Sequence, residues 1–173
     1  NDLVIDFLSK HINDIDCEVI IPDINIVRLL RSKKNTLKYF KQKLPVPEVY
    51  KTINVISDFP VFIKPDRGYG SQGVKKITNK SELNNSIKKI DEIVIQEYLP
   101  GREYTIDCFS SKDKGLLFCS GRERKRIRMG TSMNSCEVDS SLNNKFYEYA
   151  KVINQNLIMS GAWFFQMKED KYG

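Results

Sequence analysis

The sequence predicts an α+β chain with mostly antiparallel strand pairing, and three observations carry that expectation. Short β-leaning runs come in neighbouring pairs joined by glycine turns, helical periods separate them, and "FPVFIKPDRGYGSQGV" puts a glycine-rich loop between two strands. Gly68, Gly70 and Gly73 have the spacing G-x-G-x-x-G. In a dinucleotide-binding unit those glycines open a helix, but here they run into Val74-Lys75-Lys76-Ile77, a β-leaning segment. The loop is therefore expected to be a hairpin flap whose amides can cover phosphates, as protein kinases use it. The chain has no H-R-D or D-F-G segment, its one histidine is His11, and no Lys-Ser or Lys-Thr follows Gly73, which excludes a kinase and a Walker loop.

In chain order, "NDLVIDFLSKHI" reads as an amphipathic helix and "CEVIIP" as a buried strand after it. Ile26 to Arg31 and Asn35 to Lys43 read as helices, and the two prolines of "LPVPEVY" force an extended connection. Phe59 to Lys64 is a strand leading into the flap. A helix from Lys80 to Ile90 follows, with Asn79 and Glu82 placed as a capping box. "EIVIQEYL" and "EYTIDCFS" are strands joined through Pro100-Gly101, and a Lys-Asp-Lys-Gly turn leads the second into "LLFCSG" as a hairpin. "NKFYEYAKVINQNL" has a helical period at 146, 149 or 150, 153 and 157. "GAWFFQMK" is a strand with nothing expected to pair on its far side, and both ends read as cut from a longer protein.

Of 173 residues, 40% are hydrophobic and 29% charged, enough for a real core. Twenty-eight basic against 22 acidic residues leave +6, an excess that suits anionic ligands in general. No apolar stretch reaches membrane-span length and no signal-like leader is present, so the cytoplasm and no membrane partner are expected. Cysteines 17, 108, 119 and 136 form no C-x-x-C pair and are expected as reduced, packing thiols, with Cys108 and Cys119 able to face each other across the hairpin.

"RERKRIRMG" sets Arg122, Arg124, Arg126 and Arg128 on one face of an extended strand, about 6.6 Å apart, where four guanidiniums repel unless an anion answers them. A substrate anion, a charged edge strand guarded against aggregation and a nucleic-acid strip all fit the pattern. The last lacks the interleaved aromatics that single strands require.

Lys64-Pro65 with the Gly68 to Gly73 flap, then "IQEYLPGREYTIDCF", then "GAWFFQMK", in this order, resemble the ATP-grasp superfamily, specifically its carbamoyl-phosphate synthase-like branch. "SKKNTLKYFKQKLPVPEVY" is similar to that branch's leading helix and proline-bearing connection. The resemblance implies two α+β subdomains that sandwich ATP, over residues 25–173, with residues 1–24 a helix-strand remnant of a preceding α/β domain. It implies phosphate contacts from Lys33, with Lys34 as the alternative register, and from Lys64, Gly70, Ser71 and Gly73; Ser71 adds a hydroxyl donor. Glu97, Tyr98 and Leu99 match the adenine-holding hinge and Glu103 the ribose carboxylate, while Arg122 and Arg124 match groups near the γ-phosphate or the carboxylate substrate. Gln166 matches a residue near the metal site, whose Glu-x-Asn strand is expected after Gly173.

The implied cofactors are ATP and magnesium, with manganese as an alternative, and the implied partners are small-molecule carboxylate and amine substrates. The implied function is an ATP-dependent ligase that activates a carboxylate, or a carbamate or bicarbonate, as an acyl phosphate for attack by an amine or similar nucleophile, this stretch being inactive alone. A non-catalytic ATP or anion-binding module and an RNA-binding domain are the competing classes; a homo-oligomer is left open.

Overall fold

A computed structural model describes residues 2–68, 70–88 and 92–172. The chain divides into two compact units. One comprises Arg31–Gly101, Ile127–Thr131 and Lys168–Gly173; the other comprises Asn1–Leu30, Arg102–Arg126 and Ser132–Met167.

In the first unit, α3 (Lys33–Phe40) leads through an extended connection to a three-stranded sheet of β1 (Val61–Pro65), β2 (Lys75–Ile77) and β3 (Ile93–Glu97), in the order β2-β1-β3, with α4 (Lys80–Ile87) alongside. Both pairings are antiparallel, so the glycine loop closes a hairpin as expected. Alternation sends Val61 and Ile63 inward with Ile77 and Ile95, and Leu83 of α4 seals them. α4 starts at Asn79, whose side chain accepts from Glu82 N. Glu82 returns the bond one residue further out than a standard capping box: it accepts from Thr78 N at 2.9 Å and from the Thr78 hydroxyl at 3.0 Å. Residues 89 and 90 of the expected helix lie outside the described residues. The proline-bearing connection is extended and hydrogen-bonds along β3, through Tyr50 N to Ile95 O at 2.9 Å and Glu97 N to Glu48 O at 3.0 Å.

In the second unit, β4 (Glu103–Ser111), β5 (Gly115–Arg128), β6 (Thr131–Glu137) and β7 (Gly161–Lys168) form a sheet of order β6-β5-β4-β7. α5 (Ser140–Leu157) covers one face, burying Phe146, Ala150, Ile153 and Leu157; of the open pair 149 or 150, position 150 is the buried one. Tyr104, Ile106 and Cys108 meet Phe146 and Ala150 in the core, with Trp163, Phe165 and Met167 of β7 packed against them. Glu103, Thr105, Asp107, Phe164 and Gln166 therefore stand on the opposite face. α1 (Asp2–Lys10) and α2 (Ile24–Arg31) precede the sheet.

Several expectations are corrected. "CEVIIP" forms no strand: residues 17–22 are irregular and Ile20 is 61% exposed, because no neighbouring strand offers the segment a ladder. α3 begins two residues before Asn35, where Ser32 caps it, and ends at Phe40. β1 begins at Val61 and not at Phe59, since Pro60 cannot donate to a ladder. The expectation for β7 stands: it lies at the sheet edge beside β4, with no strand on its far side among the described residues. β6 was not anticipated.

Candidate functional site

Lys33, Lys64 and the flap are organised around one buried carboxylate. Asp66 follows β1 and is 7% exposed. Its Oδ1 accepts from the Ser32 hydroxyl at 3.1 Å and from Lys34 N at 2.7 Å. Ser32 Oγ in turn accepts from Asn35 N at 3.1 Å. Serine and aspartate thus satisfy amides at the α3 N-terminus, where the helix dipole also favours a negative charge. The backbone fixes the same junction: Asp66 O accepts from Lys33 N at 3.1 Å, and Asp66 N donates to Glu92 O at 2.7 Å.

This anchoring decides which lysine faces the flap. Lys33 Nζ donates to Asp66 O at 3.1 Å and to Gly68 O at 3.2 Å, whereas Lys34 is exposed. Lys64, on β1 opposite Val94, has its ammonium lowered to about 8, first by burial and then by the charge of Lys33, with Asp66 opposing. Lys33 is therefore held at the root of the flap, and its charge acts on Lys64.

In the flap, Gly70 and Gly73 have φ of 65° and 71°, and Ser71 shares the left-handed region at 57°. Gly73 is also sterically required, since a Cβ there would stand 2.9 Å from Pro65 Cγ. The turn between β5 and β6, Met129-Gly130, reaches the flap: a Cβ on Gly130 would stand 2.9 Å from Gly70 C and 3.0 Å from Ser71 N. Sequence reading missed both Asp66 and Gly130; the Met-Gly turn after the arginine strand was the available signal for the second.

At the end of β3, Glu97 Oε1 accepts from Glu48 N at 2.8 Å, so this carboxylate secures the proline-bearing connection. The half-buried Tyr98 has Lys76 Nζ 4.2 Å and Lys168 Nζ 6.0 Å from its ring centre. Leu99 is half-buried before Pro100. Gln96 was also missed: it is 6% exposed and its Oε1 has no hydrogen-bond partner among the described residues. A buried acceptor left unsatisfied is costly, so such an atom suggests a ligand donor.

The other candidates lie in the second unit. Cross-strand register supplies acids to two of the four arginines. Arg122 Nε donates to Asp107 Oδ2 at 2.6 Å and Arg122 Nη1 to Ser135 Oγ of β6 at 3.2 Å, while the Asp107 bond raises the guanidinium's proton affinity. Arg124, whose side chain is 4% exposed, donates through Nη1 to Glu103 Oε1. Arg126 and Arg128 are exposed, as is Gln166 on β7. The predicted ribose carboxylate is thus paired with a predicted substrate arginine, and the Arg122 and Asp107 side chains remain 39% and 45% exposed to a ligand.

Residues 30–162 match the ATP-grasp domain family. A D-alanine–D-alanine ligase from Prochlorococcus marinus is 31% identical over 136 residues, 76% of this chain and 35% of the ligase. The biotin carboxylase of Campylobacter jejuni, solved as a β-γ-ATP complex, superposes with a TM-score of 0.81 at 14% identity, covering 99% of this chain and 44% of that one. The biotin carboxylase domain of Hydrogenobacter thermophilus 2-oxoglutarate carboxylase, solved with MgADP, ADP and bicarbonate, gives 0.81 at 13% identity, covering 97% and 43%. The chain thus spans less than half the length of each of these proteins. The family match covers most of the chain, the structural likeness is in the fold, and the chain belongs to the ATP-grasp domain family.

Proposed function

We propose that this chain is the nucleotide-binding part of an ATP-dependent ligase, with the triphosphate held by Lys33, Lys64 and the Gly70, Ser71 and Gly73 backbone. The observation that carries this reading is Lys33 Nζ bound to Asp66 O and Gly68 O at the root of the glycine flap, with the half-buried Lys64 of β1 two residues before Asp66. The Lys33 charge disfavours the Lys64 ammonium until an anion arrives, and a polyphosphate supplies that anion. Gln96 Oε1 supports the same ligand, because an exocyclic amine on the base would satisfy it. In this reading the backbone at Glu97 and Leu99 holds the adenine edge, Tyr98 packs beside it, and Glu103 accepts from ribose hydroxyls while remaining on Arg124.

The reaction we propose for the intact protein transfers the γ-phosphoryl group to a carboxylate, releasing ADP; an amine then attacks the acyl phosphate and expels inorganic phosphate. Arg122 and Arg124 are the groups we assign to the carboxylate or γ-phosphate, since a planar fork binds such oxygens bidentately. Magnesium, when bound, would offset charge on the β- and γ-phosphates. Among the described residues no group of three or more His, Cys, Asp or Glu could hold it, and Gln166 alone is one neutral donor, so no step is assigned to the metal here. Among the described residues no helix is long and apolar enough to cross a membrane, and we place the protein in the cytoplasm.

The test is the pH dependence of ATP affinity. A bound polyphosphate favours the protonated lysine, so the Lys64 pKa in the complex lies above the value of about 8 in the unliganded fold. Affinity should therefore be highest below that value and fall roughly tenfold or more from about pH 7.5 to about pH 9.5, with one proton taken up per ATP at the upper end. Folding runs the other way: the unfolded lysine keeps its proton to higher pH, so stability contributed by this group rises between about 8 and 10.5. Affinity that is flat across this range would remove Lys64 from the phosphate site.

A further inference from the structure

Antiparallel pairing of β4 with β5 sets Cys108 directly opposite Cys119. Facing residues in such a ladder have Cα atoms about 4.5–5.5 Å apart, within the roughly 4.4–6.8 Å that a disulfide spans. Both side chains stand on the α5 side, where Cys108 is buried in the core and Cys119 packs half-buried at its margin. Both are free thiols.

We propose that Cys108 and Cys119 are a two-electron redox pair, oxidised by hydrogen peroxide to a cross-strand disulfide. Cys119 is the attacking sulfur because it is the more exposed of the two. The facing Cys108 thiol holds the proton affinity of Cys119 below the ordinary thiol range, while Cys119 and burial push Cys108 up. The Cys119 thiolate attacks one peroxide oxygen; the S–O bond forms as the O–O bond breaks, and the departing hydroxide is protonated to water. Cys108 then attacks the Cys119 sulfenic sulfur, the S–O bond breaks, and the second hydroxide leaves as water with the Cys108 proton. Two thiols and one peroxide give one disulfide and two waters. The crosslink closes the loop between the strands beside Asp107, the carboxylate that holds Arg122, so oxidation fixes the register on which that ion pair depends. The proposal does not rest on the ligase reading.

Cys17 and Cys136 are exposed and would confuse the measurement, so the test uses the full protein carrying C17S and C136S. Treatment with hydrogen peroxide should lower the monomer mass by about 2 Da, block alkylation of both remaining thiols and raise the thermal midpoint by about 5 °C, all reversed by dithiothreitol. Adding C108S should stop the reaction at a Cys119 sulfenic acid trapped by dimedone, and adding C119S instead should leave Cys108 unreactive. Two thiols that still alkylate after peroxide, a disulfide found only between chains, or a sulfinic acid on Cys119 with Cys108 reduced would each overturn the pair. If C108S fails to fold, the mass and alkylation of the parent variant decide the question alone.

Discussion

Phe146→Ala is expected to lower the unfolding free energy by about 3–5 kcal/mol, a large fraction of the stability of an ordinary domain. Phe146 is 3% exposed, its ring centre lies 5.2 Å from that of Tyr104, and it belongs to the core that also holds Ile106, Cys108 and Ala150. Gly121 of β5 lies against the ring so closely that any Cβ there would collide with it. The ring is thus enclosed by helix and sheet, and its removal leaves a void that neighbouring backbone cannot fill. Tyr147, next along α5 and 41% exposed, is the control: Tyr147→Ala should change stability by no more than about 0.5 kcal/mol. Urea unfolding followed by circular dichroism measures both. A Phe146→Ala loss under about 1 kcal/mol would mean that α5 does not close this core.

Lys64→Ala is expected to weaken ATP binding at about pH 7.5 by roughly tenfold to a hundredfold, the range for removing a charge-assisted hydrogen bond. The same change should leave the thermal midpoint unchanged or raise it, because the fold now carries a desolvated lysine with its proton affinity lowered to about 8. That split separates a ligand-binding role from a structural one. A lysine that served the fold would lower the midpoint and leave affinity intact in the molecules that stay folded. Calorimetric titration of ATP beside a thermal scan of each protein reads both quantities.

Much of the fold was legible because burial marks sequence at the period of the element. α5 showed its spacing at 146, 149 or 150, 153 and 157, and Phe146, Ala150, Ile153 and Leu157 are buried. The flap hairpin followed from β-leaning residues after Gly73, and the α4 start from Asn79. β6 left no such mark: "TSMNSCE" is polar, sits at the sheet edge, and its one large apolar residue, Met133, is 59% exposed. "CEVIIP" shows the converse failure, apolar composition without a partner strand.

For the site, single residues were easier to read than their partners. Lys64 and the glycines announce themselves by type and spacing. The Asp66 bond to Ser32 joins residues 34 apart and has no local pattern. The acids of Asp107 and Glu103 meet Arg122 and Arg124 only because the β4-β5 register falls where it does, and a shift of one residue would turn them to opposite faces. Gln96 reads as an ordinary strand residue, and only the fold shows its buried oxygen without a donor among the described residues.

The central claim is that the two lysines and the flap recognise a polyphosphate joined to a base. Its most direct test is calorimetric titration of ATP, in parallel with adenosine, into the intact protein at about pH 7.5 with magnesium present. Saturable binding of ATP, with adenosine at least about a hundredfold weaker, is the predicted result, since most of the affinity comes from ammonium and amide contacts to phosphate. Absence of ATP binding, or adenosine binding as tightly as ATP, would contradict the account.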